Sequence, residues 1–337
     1  MSKLSIVAFF FFALNTITLT SQTIDTLDFK YTDLTGIGAS KEVMRRDPSD
    51  VLKVDDRYYV WYTRGFIHQG YDATVWYATS PDGYNWTEQK ECIQRGGVGS
   101  WDEQSVFTPY VFSAKGKYYM FFTGIAKNIA GSDTFSIKEL GKLNTAIGLA
   151  VAKSPHGPWK KIKDPILEVS SDPNQFDSFR IDDACLLVRD NKYWLYYKGR
   201  QKGKSPKETK MGVAIADKPQ GPYVKFEGNP IIMGNHEVVM FPMGKGVGAL
   251  IGTTGPDHLI NSIQHSAKGY TYNKLYNVKN NPVAAGLYNP EAHNQSNKGK
   301  MITWGVHIAK RRGYLPFIQR FDLVQPNSEK VSYQKKK

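Results

Sequence analysis

Two cysteines in 337 residues, Cys92 and Cys185, are too few for a disulfide framework. Cys185 sits in an apolar run, which predicts a buried thiol. A single bridge between the two cannot be read from spacing. The apolar run at residues 6–14 (IVAFFFFAL) is too short to span a bilayer, and no other stretch comes closer. Long helical periodicities are scarce. The chain has no Gly-rich phosphate loop, no Gly-x-Ser-x-Gly elbow, no Cys-x-x-Cys pair and no His-Glu-x-x-His pair. Those absences exclude the local signatures of phosphate cradling, of a serine nucleophile elbow and of a helical zinc site. His236 and His293 stand too isolated to read as a metal site.

What the chain does have is aromatic and turn-forming. Tyr (20), Phe (17) and Gly (30) dominate, which favours strands joined by tight turns. Residues 1–21 read as a signal peptide: Lys3, the apolar run, then small residues to a cut near Ser21/Gln22. This predicts a periplasmic or secreted protein. The formal net charge is +13, and removing residues 1–21 takes away Lys3 alone, leaving +12. A basic exported protein fits an anionic partner such as an acidic or sulfated glycan. The positive charges are scattered except at residues 335–337, so nucleic acid fits least. No membrane partner is expected.

Two repeats run along the chain. One is a strand followed by a turn and an aromatic: Ser80-Pro81-Asp82-Gly83-Tyr84-Asn85-Trp86, then Ser154-Pro155-His156-Gly157-Pro158-Trp159, Lys218-Pro219-Gln220-Gly221-Pro222-Tyr223 and Ser266-Ala267-Lys268-Gly269-Tyr270. Glycine supplies the positive φ of such a turn. The other repeat is an apolar strand, a turn and an aromatic strand, at 51–62, 110–122 and 185–197, with weaker copies at 238–251 and 292–304. Its turns fall at Asp55-Asp56, Lys115-Gly116, Asp190-Asn191, 244–246 and 297–299. Together they describe five antiparallel units of about 45–70 residues, which predicts an all-β, five-bladed β-propeller. A pair of β-sandwiches is the rival architecture. The blades fall near 47–90, 101–162, 178–228, 232–275 and 284–325, within a propeller domain of 45–325. Residues 22–44 are free to close the ring, and 326–337 form a disordered basic tail. Residues 126–144 and 200–210 are long polar insertions, where binding usually lives.

Aligning the aromatic strands brings scattered polar residues into one register. Residues 58–62 match 193–197, and the same offset carries Asp47 onto Asp182. Residues 300–304 extend the match to Asn289-Pro290, equivalent to Asp47-Pro48. The position falls at Phe107-Thr108 in blade two and at His236-Glu237 in blade four. Equivalent positions at one end of inner strands point into one funnel. Carboxylates crowded there repel one another and resist ionising, so one or more should hold a proton near neutral pH. Such a split suits glycoside hydrolysis, which needs one acid and one base or nucleophile. Arg45, Arg46 and Arg180 can neutralise the site or hold hydroxyls, and Trp101 and Trp304 can stack on a sugar ring.

Four stretches in this order carry a further signal: Arg46-Asp47-Pro48-Ser49, Trp101-Asp102-Glu103-Gln104-Ser105-Val106-Phe107-Thr108-Pro109-Tyr110, Ile181-Asp182-Asp183-Ala184 and Asn235-His236-Glu237. They resemble glycoside hydrolase family 117, which lies near families 43 and 32 among five-bladed propeller glycosidases. The resemblance spans roughly residues 40–325. It implies an exo-acting, inverting hydrolase that releases α-1,3-linked 3,6-anhydro-L-galactose from red-algal galactan oligosaccharides. Asp47 would be the general base, Asp182 would orient substrate or tune the acid, and His236 or Glu237 would be the general acid. For His236 the expectation is an imidazolium with a raised pKa. Arg46, Trp101, Gln104, Thr108 and Arg180 complete the substrate-binding set, with Glu291, His293 and Trp304 from the last blade. No cofactor is required and no metal-binding residue is named, though a structural divalent cation on the propeller axis is compatible. The resemblance also implies an N-terminal helical segment swapped between subunits. Residues 22–46 show no helix pair, so a swapped dimer is not expected and the oligomeric state stays open. The high positive charge suits a sulfated substrate. The alternatives are a family 43-like arabinosidase or xylosidase and a non-catalytic glycan-binding propeller.

Overall fold

The computed structural model describes residues 24–65, 72–126, 144–234, 236–252, 255–288, 299 and 301–324. Their regular structure is β-strand apart from one 3-10 turn, Pro206–Glu208. The strands group into five antiparallel blades. The first runs from Met44–Arg46 and Leu52–Val54 through Arg57–Gly65 and Ala73–Ser80 to Thr87–Ile93. The second comprises Ser105–Ala114, Lys117–Ile125, Thr145–Ala152 and Lys160–Lys161. The third comprises Arg180–Arg189, Lys192–Arg200, Lys210–Ala216 and Val224–Lys225. The fourth comprises Val238–Met243, Gly246–Ile251, Ser262–Ser266 and Asn273–Lys279. The fifth comprises Gly286–Leu287, Trp304–Ala309 and Phe317–Val324. Thr26–Asp33 adds antiparallel to Phe317–Val324 as a further strand of that blade, and it pairs parallel with Asn277–Lys279 of the fourth.

Apolar faces explain why the blades form a ring. One cluster packs Trp61 and Tyr77 of the first blade on Val111 and Phe122 of the second. Another joins the second, third and fourth through Phe112, Tyr196 and Met240. Phe241 meets Phe29 and Phe321 between the fourth and fifth. Tyr62 and Trp86 meet Trp304 and Ile318 between the fifth and first. Each large side chain taken out of water contributes about 1.5–3 kcal/mol. No single blade can bury both of its faces alone, but the closed circuit buries all of them.

The turn chemistry follows the sequence pattern. Gly83, Gly157, Gly221 and Gly269 all hold φ between +77° and +89°. The Ser80 and Ser266 hydroxyls accept the N–H of Gly83 and Gly269 at 2.8 and 2.7 Å. Asp55, Lys115, Asp190 and Gly244 supply the left-handed residues of the inner hairpins. The sandwich alternative is not observed. Blade five departs from the expected register: its second strand is Trp304–Ala309 rather than a strand ending at Trp304. Cys92 and Cys185 are both free thiols, Cys185 buried. The expected insertion at 126–144 and the tail lie almost wholly outside the described residues.

Candidate active site

Four inner strands enter their blades through the same kink. Asp47, Thr108, Asp183 and Ala284 hold φ of +47°, +45°, +50° and +44°. In blade two, Phe107 sits opposite Thr123, but Tyr110 sits opposite Phe121. In blade three, Asp182 sits opposite Lys198, but Cys185 sits opposite Tyr196. One extra residue is thus inserted at each bulge and its side chain is re-aimed. A β-branched residue at positive φ costs about 1–3 kcal/mol. Thr108 is held there by its N–H to Thr63 Oγ1 at 2.9 Å and its hydroxyl to Thr123 Oγ1 at 2.5 Å.

This kink corrects the expected register. Asp47 is equivalent to Asp183, not to Asp182. Arg46 faces Thr63 as Asp182 faces Lys198. Blade one carries one residue more than blade three between that pair and the next equivalent one, Leu52 with Tyr59 and Leu187 with Trp194. A single offset therefore slips by one at the residue that matters. In blade five the equivalent position is Ala284, not Asn289, because Ile308 N–H bonds to the Val283 carbonyl just before the kink. In blade four the Glu237 carbonyl accepts the Gly252 N–H at 2.8 Å at the mouth of Val238–Met243.

Arg46, Asp47, Thr108, Arg180, Asp182, His236 and Glu237 share one cavity of about 920 Å³, as expected for a common funnel. Two residues not singled out beforehand sit among them, Asp183 and Lys198. The Lys198 ammonium is buried. It bonds Asp183 Oδ2 and lies 3.5 Å from Asp182 Oδ1. Arg180 approaches the other Asp182 oxygen at 3.8 Å, and Arg46 Nε donates to Asp47 Oδ2 at 2.9 Å.

These contacts separate the carboxyls. Burial opposes ionisation of Asp182, but Lys198 and Arg180 outweigh it and hold its pKa below the usual carboxylate range. Burial, reinforced by Asp182 and Asp47, pushes Asp183 up to about 6 despite Lys198. Burial also pushes Glu237 up to about 7, with Asp183 and Asp47 adding to it against Lys198 and Arg46. One carboxylate kept ionised beside one that titrates near neutrality is an acid–base division of labour. His236 goes the other way from expectation. Lys198 first, and burial next, lower it to about 3, so the ring is neutral rather than an imidazolium at ordinary pH. Its Nε2 is 3.7 Å from Glu237 Oε1.

A smaller chamber of about 70 Å³ adjoins the floor. It shares Asp47, Asp183 and Glu237 and reaches Asp50. Asp50 Oδ1 accepts the Leu287 N–H at 2.8 Å, tying blade one to blade five. Burial pushes this carboxyl up to about 7. Among the described residues no group of three or more His, Cys, Asp or Glu side chains is arranged to hold a metal ion.

Other expected site residues lie elsewhere. Trp101 does not face the cavity: its ring stacks on Phe122 at 5.7 Å and its N–H bonds the Lys163 carbonyl at 3.0 Å. Trp304 is buried at the seam of blades five and one, stacked on Tyr288 at 4.8 Å beneath the Arg320 guanidinium at 3.9 Å. Gln104 is buried and lines neither cavity. Arg45 pairs with Glu88 at 2.6 Å rather than with the site. Glu291, His293 and Asn289 lie outside the described residues. The signal for Lys198 was a lone cation within an aromatic strand, Tyr193-Trp194-Leu195-Tyr196-Tyr197-Lys198. For Asp183 it was the second member of an Asp-Asp pair, which reads equally well as solvated.

Residues 41–185 match the model of glycosyl hydrolases family 43. Among solved structures the chain is similar to Zg3597, a family 117 glycoside hydrolase produced by the marine bacterium Zobellia galactanivorans. The TM-score is 0.76 at 27% identity, over 88% of this chain and 90% of that one. Its fold is also that of the endo-arabinase from Bacteroides thetaiotaomicron VPI-5482, with TM-score 0.53 and 13% identity over 89% and 99% of the two chains. Fructan 1-exohydrolase IIa from Cichorium intybus gives TM-score 0.55 and 10% identity over 86% and 58%. No curated protein matches the chain. The resemblance to family 117, the five-bladed propeller and the reading as a glycoside hydrolase are thereby borne out.

Proposed function

We propose that this glycoside hydrolase, similar to family 117, is an exo-acting, inverting enzyme that removes α-1,3-linked 3,6-anhydro-L-galactose from the non-reducing end of red-algal galactan oligosaccharides. Asp47 is the general base: Arg46 fixes one carboxylate oxygen and leaves the other to align water. Glu237 is the general acid. The observation that carries the reading is that Glu237 and Asp47 line one cavity, where burial pushes Glu237 up to about 7 so that it can hold a proton and give it to the leaving oxygen. Asp182, kept ionised by Lys198 and Arg180, binds substrate hydroxyls and offsets the positive charge that develops on the ring. Neutral His236 hydrogen-bonds substrate beside Glu237. Asp183 and Lys198 set the charge of the floor. The carbohydrate is the partner, and the signal peptide at residues 1–21 would deliver the enzyme to the periplasm or beyond.

The test is product analysis on agar, porphyran and carrageenan oligosaccharides, with the anomer followed by NMR. Release of anhydrogalactose of inverted configuration, abolished in Asp47→Asn, supports the reading. Retained configuration, or full activity of Asp47→Asn, contradicts it. The match of residues 41–185 to family 43 favours one alternative, an arabinosidase or xylosidase, which the same protein would reveal on aryl arabinosides and xylosides. Tight binding without turnover on either panel would mark a non-catalytic glycan-binding propeller.

A further inference from the structure

The lining of the cavity is rich in cations. Among the described residues its lining carries six Arg or Lys side chains and four carboxylates. The floor cations meet carboxylates: Lys198 with Asp182 and Asp183, Arg46 with Asp47, Arg180 with Asp182. Arg200, Lys202 and Lys204 also line the cavity, together where the third blade's second strand ends and its insertion begins, and Arg200 helps keep Asp182 ionised. The insertion is a built turn. Lys204 N–H bonds the Gln201 carbonyl at 3.2 Å, and Gly203 between them holds φ of +82°. Ser205 and Glu208 exchange a capping box that closes the next turn. At the strand end, Phe179 N–H bonds the Arg200 carbonyl at 3.1 Å, and the guanidinium lies 6.0 Å from the Phe179 ring. Among the described residues, Lys204 meets a carboxylate only at Glu208, 3.1 Å away and exposed, and Lys202 meets none.

We propose that Arg200, Lys202 and Lys204 form a subsite for an anionic substituent, a sulfate ester or a carboxylate, on a sugar outward of the bond that is cut. The inference rests on reading this cavity as the glycosidase site. Neutral hydroxyls are bound as well by carboxylates and amides, so they give no reason for three clustered cations. A sulfate or carboxylate oxygen accepts charge-assisted hydrogen bonds from guanidinium and ammonium groups. The net charge of +13 adds long-range attraction for the same class of ligand.

Calorimetric titration of the full chain carrying Asp47→Asn reads binding without turnover. The probes are a sulfated galactan oligosaccharide with its chemically desulfated form, and a uronate-bearing oligosaccharide with its carboxyl-reduced form. Adding Lys202→Ala and Lys204→Ala, both exposed, should weaken the anionic member of one pair about tenfold more than its neutral counterpart. The pair with the larger ratio identifies sulfate or carboxylate. Equal weakening of both members, or none in either pair, overturns the subsite. An enzyme that keeps this preference yet frees no anhydrogalactose from any galactan overturns the proposed activity and leaves the subsite standing.

Discussion

Replacing Lys198 by methionine removes one charge from the centre of the floor and keeps most of the length of the side chain. At 3.5 Å from Asp182, the ammonium–carboxylate attraction is about 5 kcal/mol at an effective dielectric near 20. Much of that offsets the cost of burying both groups. Removing one partner of a buried pair nevertheless costs about 3–5 kcal/mol, because the remaining charge is left uncompensated. Lys198 touches two carboxylates, so the loss should be at the upper end, and the melting temperature should fall clearly. The pH profile supplies the sharper reading. Lys198 lowers the pKa of Asp182, Asp183 and Glu237 alike. Without it all three rise. Glu237 must be protonated to act as the acid, so wild-type activity is lost as pH rises through about 7, and in Lys198→Met that limb moves to higher pH by about one unit. Asp182 must be ionised, so the acid limb moves the same way. His236, freed from the same cation, becomes easier to protonate. The assay is kcat/KM against pH, beside thermal melts. A profile that drops in height but keeps both limbs in place would refute this electrostatic account of the floor.

Three further outcomes follow from the same geometry. His236→Ala should lower kcat/KM by about ten- to a hundredfold through lost substrate contacts, while the alkaline limb stays where Glu237 puts it, as a pH–rate series will show. Gly83→Ala should cost about 1–3 kcal/mol in denaturant unfolding: φ is +77°, and a Cβ would lie 2.8 Å from Arg320 Nη1 and 3.0 Å from the Trp304 ring at the seam of blades five and one. Trp101→Ala should destabilise by about 3 kcal/mol while the Michaelis constant for the oligosaccharide stays the same, since the ring packs on Phe122 outside the cavity.

The architecture was legible because its punctuation is chemically forced. The first three blades carry left-handed residues in their inner hairpins at Asp55, Lys115 and Asp190, and the first four carry a left-handed glycine in their outer turns at Gly83, Gly157, Gly221 and Gly269. The clustering of Asp47, Asp182, His236 and Glu237 was legible for a related reason, since equivalent positions at one end of the inner strands converge on one cavity. The kink itself was not legible. Asp47, Thr108, Asp183 and Ala284 share a backbone shape but not one residue type, being Asp twice, Thr and Ala, and the extra residue in blade one hides the true partner of Asp47. The protonation of His236 could not be read either, because the deciding charge, Lys198, comes from a neighbouring strand. Aromatics misled for the opposite reason. Trp101 and Trp304 have the chemistry to stack on sugars, but the seams between blades need large flat rings as much as a sugar does.

In the proposed mechanism Glu237 protonates the leaving oxygen. The most direct test of this step is Glu237→Gln, assayed on the natural oligosaccharide and on an aryl glycoside of the same sugar whose leaving group needs no proton. Glutamine keeps the shape and cannot deliver a proton. The oligosaccharide rate should fall by about 10²–10⁴, the aryl glycoside should lose far less, and the alkaline limb near pH 7 should vanish. Equal losses on the two substrates, with the limb still in place, would contradict the account.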